Sequence, residues 1–221
     1  MITSNLLELA EKSIDHLEIL SSDELNRYEN MSSEKRKQEF LAGRYALKTN
    51  LLKHRFSTEK TYNDISIDYG SLGYPMLREG DFEIGLSHSR NYVFSVIYSR
   101  ENIVGVDIET IRSDIFLEKL LTDSEKELFI DSDVTSKMAY ILFSCKEALG
   151  KALKIGLLAD YSIYEVKKVE NMTILNNQVF QLSFKRFPFL TAYSFEKEEG
   201  EICSFVVQRG IEAEKILQEL L

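Results

Sequence analysis

One order of elements runs through this sequence twice, and it restricts the fold more than any other feature. A short helical pattern, a long helical pattern and a group of strands occur in the first half, then recur after the polar connector Ser99-Arg100-Glu101-Asn102. In the first pass Ser21-Ser22-Asp23-Glu24 caps a short helix over 23–28, and Ser32 or Ser33 caps a long basic helix from Glu34 to about His54. Strands are expected over 65–69, 82–86 and 92–98, with a turn-rich loop at Gly70-Ser71-Leu72-Gly73-Tyr74-Pro75. The second pass predicts a strand over 103–108, short helices near 115–120 and 124–129, and a long helix over about 135–154. Strands near 162–169, 179–184, 189–195 and 202–207 follow, then a closing helix over 212–221. Residues 5–20 are predicted to form an amphipathic helix through Leu6, Leu9, Ile14, Leu17 and Leu20. The expectation is an α+β fold of two pseudo-symmetric lobes, 1–101 and 102–221, related by internal duplication. The text of the long helices supports it, Phe40 to Lys48 rhyming with Phe143 to Lys151. Clefts between such lobes are favoured ligand sites.

Within the second lobe two stretches carry chemistry. Gly105-Val106-Asp107-Ile108-Glu109 alternates strictly, so Asp107 and Glu109 share one face of a strand and repel unless a cation lies between them. In the long helix, Met138, Ile141, Leu142, Cys145, Leu149, Ala152 and Leu153 form an apolar stripe, and Glu147 and Lys151 lie nearly opposite it. Three hard oxygen ligands and a nearby ammonium suit magnesium on a diphosphate. Taken singly, the strand reads equally as a solvated acidic edge and the helix pair as an ordinary surface pair. Thr122-Asp123-Ser124-Glu125 reads as a helix cap.

Together, G-V-D-I-E at 105–109 and Phe143-x-x-Lys146-Glu147-Ala148-x-x-Lys151 resemble the motifs of the 4′-phosphopantetheinyl transferases of the surfactin-synthetase-activating type. The likeness runs in order over roughly residues 20–210. It implies Mg²⁺ on Asp107, Glu109 and Glu147, with Glu125, which matches the glutamate of the family's L-[ST]-x-x-E segment, near the metal but not on it, and coenzyme A as co-substrate in the cleft between the lobes. The implied reaction moves the 4′-phosphopantetheine arm to a serine of an apo acyl or peptidyl carrier protein and releases adenosine 3′,5′-bisphosphate. Glu147, directly or through water, would accept the serine proton, and Lys151 would stabilise charge on the transferred phosphoryl group. The alternatives are a non-catalytic relative that binds coenzyme A or carrier protein, and another magnesium-dependent phosphoryl or nucleotidyl transferase.

The resemblance also assigns residues of the first lobe to the coenzyme. Arg44 lies near the middle of its helix's apolar arc, so its charge needs an anion: an internal Asp or Glu, or, as the family implies, a nucleotide phosphate. Ser87-His88-Ser89 matches the family's serine-histidine-serine segment, which implies that His88 bonds the phosphates while the two serines line the pocket. Lys35 belongs to a basic run, Lys35-Arg36-Lys37, which reads as a solvated face or as a local positive patch for the 3′-phosphate or the carrier. Two departures stand out. Phe143 replaces the usual tryptophan, and Gly73-Tyr74-Pro75 replaces a Gly-Lys-Pro, removing a cation near the adenine.

Composition limits the partners. A net charge of −9 over 221 residues argues against nucleic acid or an anionic membrane as a general ligand. No apolar run approaches a membrane span, and the first residues, with Glu8, Glu11 and Asp15, do not read as a signal peptide. Two isolated cysteines, Cys145 and Cys203, form neither a disulfide framework nor a metal site, which suits a reducing cytoplasm. A duplicated chain can form its own cleft as a monomer.

Overall fold

The computed structural model describes the chain apart from residues 10–13, 55–60, 79, 113–116 and 129–134. The chain divides into two compact units, Met1–Glu101 and Asn102–Leu221. The first holds β1 (Ile2–Glu8), α1 (His16–Ile19), α2 (Ser22–Glu29), α3 (Glu34–Lys53), β2 (Ile67–Tyr69), β3 (Pro75–Leu77), β4 (Phe82–His88) and β5 (Tyr92–Ser99). The second holds β6 (Val104–Thr110), α4 (Asp123–Glu127), α5 (Thr135–Ala152), β7 (Val166–Ile174), β8 (Asn177–Phe184), β9 (Leu190–Glu196), β10 (Glu201–Gln208) and α6 (Ala213–Leu220). The expected α+β class is what forms. The ends predicted at 115–116 and at 129 for the two short helices fall outside the described residues.

In each unit the first strand pairs antiparallel with the last, and the long helix covers the sheet. The first unit has the order β1-β5-β4 beside a β2-β3 hairpin; the second has β6-β10-β9-β8-β7. Leu47 and Leu51 of α3 pack against Ile67, Ile84 and Ile97, while Ile141, Leu142, Cys145 and Leu149 of α5 join Leu182, Phe184, Leu190 and Val206. Period-3.6 stripes on period-2 faces build both cores. The β7–β8 turn is closed by Leu175 and Asn176, both in the left-handed region, as a two-residue hairpin loop requires.

A buried charge wiring repeats between the units. Ser21 and Thr122 cap α2 and α4, and the capping carboxylates Glu24 and Glu125 accept back from the Ser21 and Thr122 amides at 3.0 and 2.9 Å. Each carboxylate also accepts the amide that begins a strand, Ile67 at 3.2 Å for Glu24 and Val166 at 2.8 Å for Glu125. Each takes a lysine from the long helix, Lys48 at 2.5 Å and Lys146 at 2.7 Å. These lysines donate further to the carbonyls of Ile19 and Leu120, each two residues before its cap. The counterpart of Lys48 is therefore Lys146, and the textual rhyme that set Lys48 against Lys151 is out of register by five residues.

Sequence reasoning went astray at the N-terminus. Residues expected to start a helix form β1 instead, matched from Ile2–Tyr98 through Glu8–Tyr92 against β5; of the rest of the predicted 5–20 helix, residues 10–13 lie outside the described residues, and among the described ones His16–Ile19 are helical. The leucine spacing is compatible with either period, and an otherwise open edge of β5 offers a full ladder of partners, which overrides local propensity. The 3₁₀ turn Tyr161–Tyr164, capped by Asp160, occupies the start of the strand expected at 162, so β7 begins at Val166. No helix among the described residues is long and apolar enough to cross a membrane.

Candidate active site

The site begins with a glycine. A Cβ on Gly105 of β6 would stand 2.0 Å from the Ala148 carbonyl oxygen and 2.4 Å from the Ala152 nitrogen, so α5 rests backbone to backbone on this strand. That approach brings two turns of α5 down on Asp107. Lys151 Nζ donates to one Asp107 oxygen at 2.6 Å, and Ser144 Oγ donates to the other at 2.8 Å. Asp107 itself is 1% exposed. A carboxylate at that depth requires such partners, since an unpaired buried charge is costly. Gly105 is thus a packing requirement of the motif, and Ser144, seven residues before Lys151 on the same helix face, is a contact that sequence reading did not single out.

Glu109 follows on the same strand face and Glu147 lies one turn before Lys151; both are partly buried. Burial foremost, and then the nearby Asp107 charge, push the Glu109 carboxyl up to about 7, with Glu147 and Glu201 adding and Lys151 opposing. Burial and Asp107 likewise raise Glu147 above the ordinary carboxylate range, against the pull of Lys151. The three carboxylates therefore share one electrostatic environment that is short of positive charge. As hard oxygen donors they fit a divalent cation in their chemistry. They are not drawn together as a finished ligand cage: among the described residues no three Asp, Glu, His or Cys side chains converge as a metal-binding group. Asp107 is turned instead onto Lys151 and Ser144.

The candidates in the first unit are placed differently. Arg44 is 1% exposed, its Nε lies 2.8 Å from Glu24 Oε1, and its guanidinium is flanked by the Phe40 and Tyr69 rings. The internal carboxylate that the sequence allowed is thus within reach of Arg44, while its Nη2 is buried with no hydrogen-bond partner among the described residues. Lys35 is almost fully exposed and sits 3.6 Å from Glu39, one turn along α3, a solvated pair. Ser87 is buried and His88 exposed, because β4 continues through both and alternation sends them to opposite faces. Ser89 Oγ accepts the Asn91 and Tyr92 amides and closes the β4–β5 turn. The trio therefore does not converge as a single cradle. Tyr74 lays its ring over Gly70, where a Cβ would stand 2.3 Å from the ring.

Comparison with known proteins agrees with the motif. A family model described as the 4′-phosphopantetheinyl transferase superfamily matches residues 103–206, which include β6 and α5. A holo-[acyl-carrier-protein] synthase of Staphylococcus carnosus is 38% identical over 89 residues, 36% of this chain and 72% of that protein. The 4′-phosphopantetheinyl transferase HetI of a Nostoc species is 32% identical over 149 residues, 62% of this chain and 61% of that one. A crystal structure of the Thermotoga maritima holo-[acyl-carrier-protein] synthase aligns over 48% of this chain and 67% of its own, at 23% identity and a TM-score of 0.36.

Proposed function

The chain belongs to the 4′-phosphopantetheinyl transferase superfamily, and from that premise we propose that it transfers the 4′-phosphopantetheine arm of coenzyme A to a serine of an apo acyl or peptidyl carrier protein. Adenosine 3′,5′-bisphosphate is the product that leaves. The observation that carries the reading is the β6–α5 contact, where Gly105 lets α5 close on the strand and bring Lys151 and Ser144 onto Asp107, with Glu109 on the same strand face and Glu147 on the same helix.

Magnesium held by Asp107, Glu109 and Glu147 would neutralise the diphosphate of the coenzyme and stabilise the oxygen that leaves. Ser144 orients Asp107 through its hydrogen bond, fixing which carboxylate oxygen is left to face a cation. Lys151 supplies a positive charge at the same place and, once Asp107 is otherwise satisfied, can move that charge to the transferred phosphoryl group. Glu147 is made more basic than an ordinary carboxylate by burial and by Asp107, which suits it to take the serine proton. The coenzyme's phosphates are assigned to Arg44 and His88, with Lys35, Ser87 and Ser89 contributing separately rather than as one cradle. Support is the motif match, together with the exposure of His88 and Lys35. Both cysteines are free and buried, in keeping with a cytoplasmic protein, and we take it to act as a monomer.

The test is the intact mass of an apo carrier protein incubated with the chain, coenzyme A and Mg²⁺. Gain of one phosphopantetheine arm on a serine is the expected result. Tight coenzyme binding with no change in carrier mass would replace the transferase with a binding protein.

A further inference from the structure

We propose that Glu125 and Lys146 are a positioning pair, setting the rotation of α5 so that Glu147 and Lys151 meet Asp107. The inference rests on the transferase reading above. Glu125 and Lys146 are both fully buried, 2.7 Å apart. One Glu125 oxygen accepts the amide of Val166, the first residue of β7; the other accepts the amide of Thr122, which caps α4. A single carboxylate thereby ties α5 to the start of a strand and to the start of a helix. Lys146 donates also to the Leu120 carbonyl. The next residue on α5 is Glu147, and Lys151 is five positions beyond Lys146.

Two contacts define where that segment of helix can be. Gly105 against Ala148 and Ala152 sets how near its axis comes to β6, but a glycine contact does not resist turning about the axis. The ion pair does, because Lys146 leaves the helix on a different side from Glu147 and ends on the Leu120 carbonyl and on Glu125, itself held by the Thr122 and Val166 amides. The first unit supplies an internal control. Glu24 and Lys48 repeat the same lysine, cap and strand contacts, with Arg44 as a second cation on Glu24, and the residue after Lys48 is Thr49 rather than a carboxylate. A pair that only staples the fold acts alike in both units; a pair that positions the site acts on turnover in the second alone.

The experiment compares Glu125→Gln, Glu24→Gln and the double variant Glu125→Gln/Lys146→Met in the full chain. Urea midpoints are measured alongside steady-state transfer to an apo carrier protein, with kcat separated from the KM for coenzyme A. Both single variants are expected to lower the urea midpoint, since Glu125→Gln leaves buried Lys146, and Glu24→Gln both Lys48 and Arg44, without the counter-charge. Only Glu125→Gln is expected to lower kcat, on the order of 100-fold for a displacement of about 1 Å, with KM within about twofold of wild type. The double variant, having neither charge, recovers the midpoint but not kcat. Should the single variant fail to fold, the double variant decides alone. Wild-type kcat in the double variant overturns the positioning role, as does an equal kcat loss in Glu24→Gln. An inactive wild-type chain instead overturns the transferase reading and this inference with it.

Discussion

Replacing Gly105 by alanine adds one methyl group at the point where β6 and α5 touch. Its Cβ would lie 2.0 Å from the Ala148 oxygen, 2.4 Å from the Ala152 nitrogen and 2.9 Å from the Ala152 Cα. All three are backbone atoms, so no side chain can swing aside. Restoring even a 3.0 Å contact with the Ala148 oxygen moves the helix by about 1 Å. Overpacking of this kind costs about 1–3 kcal/mol. The functional loss should be larger in proportion. The Lys151 and Ser144 bonds to Asp107, 2.6 and 2.8 Å in the native chain, would both stretch past hydrogen-bond length, and Glu147 would retreat with them. A displacement of that size lowers turnover on the order of 100-fold. Urea denaturation gives the stability change, and transfer to an apo carrier at saturating coenzyme A gives kcat for the folded protein. Wild-type stability together with wild-type kcat would refute the claim that α5 is seated on the strand through this glycine.

Other consequences are simpler to state. Arg44→Ala should lower stability by about 1–3 kcal/mol, through the Glu24 pair and the stacking on Phe40 and Tyr69, and should weaken coenzyme binding by the folded fraction in calorimetric titration; unchanged affinity would make Arg44 a structural residue only. Glu165 is held down at about 2 by Lys185 first, with Ser124 and Thr122 helping. Its folded-state value is below its unfolded one, so its stabilisation is complete above the ordinary carboxylate value and disappears as pH falls toward 2. Glu165→Gln should therefore melt below wild type at pH 6 and converge with it near pH 2; a gap independent of pH would show that the carboxylate charge is not what stabilises.

What could be read from the sequence divides along physical lines. Alternation in 104–109 and the apolar stripe of α5 are local periodic signals, and both elements form where those signals lie. The burial of Arg44 was legible for the same reason, since it sits within the apolar arc of α3. Its partner was not, because Glu24 reads as a cap and nothing local reveals that a capping carboxylate also receives two cations from a distant helix. Glu125 matched a family glutamate near the metal, but its bonds to Lys146 and to the Val166 amide were hidden in the same way. The strand β1 was lost because its partner β5 is some ninety residues away, and only that pairing resolves an ambiguous leucine spacing. At Asp107 the residue type and strand face were readable, whereas the Ser144 bond depends on how closely two backbones pack. The Gly105 that permits it opens the motif and was the available clue.

Mg²⁺-dependent transfer by metal-stripped protein bears most directly on the claim that one strand and one helix assemble the site. Carrier mass is followed while Mg²⁺ is added back to the wild-type chain, to Asp107→Ala and to Glu147→Gln. Asp107 is buried beneath α5 and Glu147 is partly buried, so the urea midpoint of each variant is measured first and transfer is scored per folded molecule. The account predicts that wild-type transfer appears only with added Mg²⁺, that Asp107→Ala gives no transfer at any concentration, and that Glu147→Gln loses turnover at least as much as coenzyme binding. Wild-type rates in both variants, or full transfer with no divalent cation present, would contradict it.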